Sequence, residues 1–167
     1  DSQGADAAFV AATKLKADYW PAIQGRAVLL AGKGDIKQAT ESLEAAIKAN
    51  PEIWELKRDL GKILLSADEA VSALKIFAEL AQAKPIAVHH VMHGKALAAA
   101  GRKQMAGAEY ERAVVQEPDS VPAHFAFATW LTDVGQLDIA EQHFDRLSVL
   151  GQTHLGQLGK GLIFRKN

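Results

Sequence analysis

Residues 51–85 read PEIWELKRDLGKILLSADEAVSALKIFAELAQAKP, and this stretch decides the fold. Leu60, Gly61 and Leu64 share one face of a helix, and Ala73, Phe77 and Leu80 share one face of the next. Asp68 stands in the turn between them. Asn50-Pro51 before the stretch and Lys84-Pro85 at its end stop the chain, because a residue that precedes Pro is pushed out of the helical region. The unit is therefore a pair of amphipathic helices of about three turns each, joined by a short turn.

The same unit recurs along the chain. Pro51, Pro85 and Pro118 lie 34 and 33 residues apart. Gly34, Gly101 and Gly135 hold the turn position that Asp68 takes in the quoted stretch. Ala39, Ala73, Ala106 and Ala140 are spaced by 34, 33 and 34. Each is followed four residues on by Leu43, Phe77, Tyr110 or Phe144, and three further by Ala46, Leu80, Ala113 or Leu147. Ala27, Gly61, Gly94 and Ala128 are small because two helix backbones must approach closely there. No single pair buries both of its faces, so neighbouring pairs must stack.

Composition agrees with a helical reading. The chain has 167 residues, 49% hydrophobic and 23% charged, with 31 Ala and 18 Leu against 5 Pro. High Ala and Leu with little Pro favour helix. The apolar fraction and a net charge of −1 exclude disorder as the main state. The absence of Cys excludes a disulfide scaffold and thiol chemistry. No apolar run approaches the roughly 18 residues that span a bilayer, so no membrane insertion is expected. The expectation is a soluble protein, cytoplasmic or periplasmic. The use of Ala, with Gln and Asp at turns, is of a bacterial kind.

The small residue, the Ala-x-x-x-aromatic step and the closing Pro resemble the tetratricopeptide repeat. That resemblance implies an all-α fold, a right-handed superhelical solenoid of antiparallel helix pairs. Within a single domain of residues 1–167 the repeats would cover 20–53, 54–86, 87–120 and 121–153. Residues 1–19 would be the second helix of a half repeat, and 154–167 the first helix of another. The chain then begins and ends in mid-repeat. This reading makes it a fragment of a longer array, with apolar end faces that predict weak end-to-end self-association. Three positions depart from the family's pattern. Arg26 stands where a large apolar residue is usual, Gln152 replaces the closing Pro, and Ile23, Lys57, His90 and His124 occupy a place often held by Trp.

The sequence offers little chemistry. His89 and His93 lie four apart on one helix, as metal-binding pairs do, but no acidic residue on that helix completes a site. His90 and His124 are expected where the two helices of a pair meet. Gly32-Lys33-Gly34 and Gly159-Lys160-Gly161 lack the spacing of a phosphate-binding loop. Asp and Glu are expected on outer faces. Without an acid, base or nucleophile constellation, no catalytic residue, cofactor or metal is assigned, and no enzymatic activity is expected.

The surface that remains is the groove lined by first helices. Family positions for ligand contact fall on Arg58 and Lys62, on Val88, Val91 and Lys95, and on Phe125 and Thr129. The resemblance thus implies a protein-interaction scaffold or adaptor. Its groove would take a peptide or helical segment of a partner bringing apolar side chains and at least one carboxylate. Arg58 and Lys62 are like charges four apart, which Glu55 and Asp59 can relieve. The chaperone-tail clamp known in the family needs Asn residues that this chain lacks, with Val28 in place of one of them. A regulatory or oligomerising arm of a larger enzyme or secretion component is an alternative. So is a helical-repeat RNA binder, but the charge balance and the regular prolines argue against nucleic acid.

Overall fold

The computed structural model describes residues 2–16 and 19–165. Among these the chain is all helix and turn. It forms two compact units, Asp1–Leu80 and Ala81–Asn167.

The first unit holds α1 (Ser2–Leu15), α2 (Trp20–Gly32), α3 (Ile36–Ala49), α4 (Trp54–Ser66) and most of α5 (Ala70–Ala83). α2 packs on both α1 and α3, and α4 on both α3 and α2. The second unit holds α6 (Ala87–Ala99), α7 (Lys103–Gln116), α8 (Val121–Asp133), α9 (Leu137–Val149) and α10 (Thr153–Phe164). There α6 pairs with α7, α8 with α9, and the first helices α6, α8 and α10 pack in succession.

The repeated positions form the core. Ala39, Ala73, Ala106 and Ala140 are buried, as are Leu43, Phe77, Tyr110 and Phe144, and Ala46, Leu80, Ala113 and Leu147. Their 4,3 spacing puts all three on one helical face. The small residues opposite are small by necessity. A Cβ on Gly61 would lie 2.6 Å from the Phe77 ring, and one on Gly94 would lie 2.5 Å from the Tyr110 ring. Both distances are well inside van der Waals contact, so each aromatic ring occupies the space a side chain would take.

The turns repeat as faithfully. Gly34, Asp68, Gly101, Gly135 and Gly151 all have positive φ. The N–H of each bonds back three residues, and the next N–H bonds back five, as in Asp68 N to Leu65 O and Glu69 N to Leu64 O. This is the left-handed C-terminal cap that glycine adopts without strain. Asp68 adopts it as the non-glycine member at φ 61, one of the residue types that tolerates this region. Gly151 supplies the same cap after α9, where Gln152 stands in place of a proline. Asp35 caps α3, its side chain accepting from Gln38 N at 3.2 Å.

The departure at Arg26 is also explained. Its Nε donates to Asp6 Oδ1 at 3.0 Å, tying α2 to α1. Two acidic residues break the expectation that carboxylates lie outside. Asp59 is 7% exposed and Glu109 is 6% exposed. Each is tolerated because neighbouring cations or imidazoles surround it.

Candidate functional site

In the first unit, Arg58 and Lys62 converge on one buried carboxylate. Arg58 Nε and Lys62 Nζ each lie 3.3 Å from Asp59 Oδ1. Gln24 Nε2, from α2, donates to Asp59 Oδ2. The Arg58 guanidinium also stands 5.2 Å from the centre of the Trp54 ring, in cation–π geometry. Asp59 therefore relieves the like-charge repulsion that spacing alone would impose. The two cations enter any binding event already partnered.

In the second unit, the first helices build an open cavity of about 430 Å³. Lys95 and Ala98 come from α6, Phe125 and Thr129 from α8, and Leu155 from α10. On α8 the lining residues Pro122, Phe125, Ala126, Thr129 and Asp133 recur at helical spacing. Thr129 Oγ1 donates to Phe125 O at 2.8 Å, so its hydroxyl proton is already committed. The groove runs on between α8 and α10 as a further depression bordered by Thr129, Asp133, Leu162 and Arg165. Lys95 is exposed and makes no ion pair within 4 Å among the described residues. Phe125 packs edge-on against Phe144, with ring centres 6.3 Å apart, which fixes its orientation.

Of the residues expected in the groove, Lys95, Phe125 and Thr129 line this cavity. Val88 is half-buried and does not. Val91 is a correction: it is 1% exposed and packs with Ala87, Ala113 and Ala123. Ala87, Val91 and Gly94 form the stripe by which α6 meets its neighbours, so Val91 offers no surface to a ligand. The lining residues that were missed include Tyr110 and Trp130, besides Val121, Pro122, Ala126 and Asp133. Tyr110, from α7, borders the cavity because Gly94 has no side chain to cover the ring. Burial raises its hydroxyl to about 12, so it stays protonated. Trp130 borders the cavity from α8; its indole lies where a Gly107 Cβ would be, and its Nε1 donates to Lys103 O at 2.8 Å. The unbroken α8 stripe that carries Phe125 and Thr129 could have pointed to Pro122 and Ala126.

The histidines serve packing. His89 is fully buried with Nδ1 2.7 Å from Lys84 O, whereas His93 Nδ1 lies 3.2 Å from Glu109 Oε2. The pair four apart thus turns to different partners. His90 Nδ1 also reaches Glu109 Oε2, at 2.8 Å, and Arg112 Nη1 reaches Glu109 Oε1 at 2.5 Å. Burial alone would raise the Glu109 carboxyl. The hydrogen bond from His90, with His93 and Arg112 close by, outweighs burial and holds it below the usual carboxylate value. His90 and His124 both bridge the two helices of a pair, as their shared repeat position predicts. Among the described residues no group of three or more His, Cys, Asp or Glu is arranged to hold a metal ion, and no helix is long and apolar enough to cross a membrane.

Residues 25–86 match the family profile described as the tetratricopeptide repeat. No curated protein sequence matches the chain significantly. Among solved structures, TTC0263, a thermophilic TPR protein of Thermus thermophilus, superposes with a TM-score of 0.81 at 18% identity, over 98% of this chain and 91% of that one. MamA residues 41 to the end, from Desulfovibrio magneticus RS-1, superposes with a TM-score of 0.73 at 17% identity, over 91% of this chain and 86% of that one. At such identities the likeness is one of fold.

Proposed function

We propose that this chain, with tetratricopeptide repeats matched at residues 25–86 and the fold of a tetratricopeptide-repeat protein, is a binding scaffold whose second unit receives a segment of a protein partner. The segment is extended or helical. It brings an apolar side chain to rest on Phe125 and Leu155 and a carboxylate to meet Lys95. One observation carries this reading: a largely apolar cavity of about 430 Å³ with an exposed, unpaired lysine at its edge. Concave apolar sites with a few placed polar groups are where ligands bind. Arg58 and Lys62 play a lesser part, because a partner's carboxylate would have to compete with Asp59 for them.

The test is affinity capture from the source lysate, followed by mapping of the retained peptide. A segment carrying an apolar residue beside Asp, Glu or its own C-terminal carboxylate, held by the wild type and lost by Lys95→Glu, is the expected result. Capture that is indifferent to Lys95→Glu and Phe125→Ala would remove the cavity from the account.

A further inference from the structure

A second cavity, of about 620 Å³, opens between the second helices α7 and α9. Its floor is the stacked pair Phe127 and Trp130, whose ring centres lie 5.9 Å apart at 14°. His143, from α9, sets its ring edge-on to Phe127 at 4.9 Å. The walls carry Val115 of α7 and Ile139 of α9, which are 75% and 44% exposed. Among the described residues α7 and α9 do not pack against each other, and these two side chains remain open to solvent. Apart from Trp130, which borders both, this cavity shares no lining residue with the groove that holds Lys95.

We propose that this cleft is a second docking site, and that it receives an apolar side chain of a protein partner accompanied by a lysine or arginine. Charge selects the occupant. Glu111 is the one charged residue among the lining side chains. Arg112, its neighbour in sequence, has its guanidinium bonded to Glu109 at 2.5 Å and does not offset it. A partner carboxylate entering beside Glu111 meets like charge, whereas a cation there is matched. The groove differs in carrying charge of both signs, Lys95 and Asp133.

The inference stands apart from the groove reading, and one pair of probes separates them. 4-Phenylbutylamine and 4-phenylbutyrate each carry a phenyl ring on a four-carbon chain and differ in the sign of the end group. Each is titrated into the isotopically labelled full chain and followed by amide chemical shifts. The amine is expected to shift Glu111, Val115 and Ile139 with a several-fold lower Kd than the carboxylate at those same resonances. Glu111→Gln, at an exposed position, should remove that preference, and Val115→Ser should weaken both probes there. Shifts from the carboxylate at Lys95 and Phe125 report on the groove alone, so their absence would leave this inference standing. Equal response to the two probes at the cleft, a preference that survives Glu111→Gln, or no shift of Val115 and Ile139 up to the solubility limit would each overturn it.

Discussion

His124 Nδ1 and His143 Nδ1 face each other across 2.8 Å, joining α8 to α9. His124 Nε2 lies 2.9 Å from Pro118 O, which can only accept. The Nε2 of His124 is therefore protonated, and its Nδ1 accepts from the Nδ1–H of His143. The geometry tolerates one added proton, on His143 Nε2, with both hydrogen bonds kept. It cannot tolerate two, which would set N–H against N–H.

Stability should therefore fall with acid in two stages. Burial, and then the charge of His124, hold the His143 pKa below its ordinary 6.5. A depressed imidazole binds more protons unfolded than folded, so its contribution is complete above 6.5 and shrinks as pH falls toward the folded value. Glu109, also depressed, contributes above 4.5 and is lost as pH drops through its lowered folded pKa. Thermal melts from pH 8 to 4 should show Tm declining below about 6.5 and more steeply below about 4.5. His143→Gln should flatten the first stage alone. A Tm level between pH 7 and 5 in the wild type would contradict this account of the pair.

Glycines at the helix contacts are expected to differ from glycines at free ends. Gly94→Ala drives a methyl group to within 2.5 Å of the Tyr110 ring and should cost roughly 1–3 kcal/mol in denaturant unfolding. Gly32→Ala meets nothing within 4 Å at the end of α2 and should be neutral or stabilising by up to about 1 kcal/mol. Equal effects at both sites would mean that the close approach at Gly94 is not a constraint. Ala106→Leu and Ala140→Leu, at fully buried positions, should likewise cost about 1–3 kcal/mol through overpacking.

Asp68 is the one non-glycine residue with positive φ among the described residues. Asp68→Gly should remove that strain, offset by the greater freedom of glycine in the unfolded chain, for a net change between about 0 and +1 kcal/mol. Gly101→Ala, at φ 76, should destabilise by about 1 kcal/mol or more. Chemical denaturation of the two variants compares them directly. Destabilisation by Asp68→Gly would show that the Asp side chain contributes something the turn geometry does not.

Much of the fold was legible because it rests on local spacing repeated four times. Ala39, Leu43 and Ala46 announce a buried face by themselves, and three more copies fix the register. The turn at Asp68 was legible only through its glycine counterparts. What the sequence hid depends on contacts between helices. Nothing in the spacing of α6 says that Val91 turns to Ala113 and Ala123 while Lys95 turns to the groove. Nor does it say that Glu109 will be buried by two imidazoles, one of them four residues from His89. Trp130 was invisible for the same reason: its place depends on a vacancy that Gly107 creates on another helix. Of the groove, the α8 stripe was readable and the α7 contribution was not.

The central claim, that the second unit's groove binds a segment with an apolar anchor and a carboxylate, is tested most directly by calorimetry with the mapped segment. Phe125→Ala should weaken binding the most, by about 2 kcal/mol or more, because buried aromatic anchors dominate interfaces. Lys95→Glu, at an exposed position that leaves folding intact, should weaken it by about 1 kcal/mol and reduce its dependence on salt. Lys62→Glu should change it less than Lys95→Glu, since Lys62 is already held by Asp59. Affinity unchanged by both Phe125→Ala and Lys95→Glu would contradict the account and place the partner on another face of the chain.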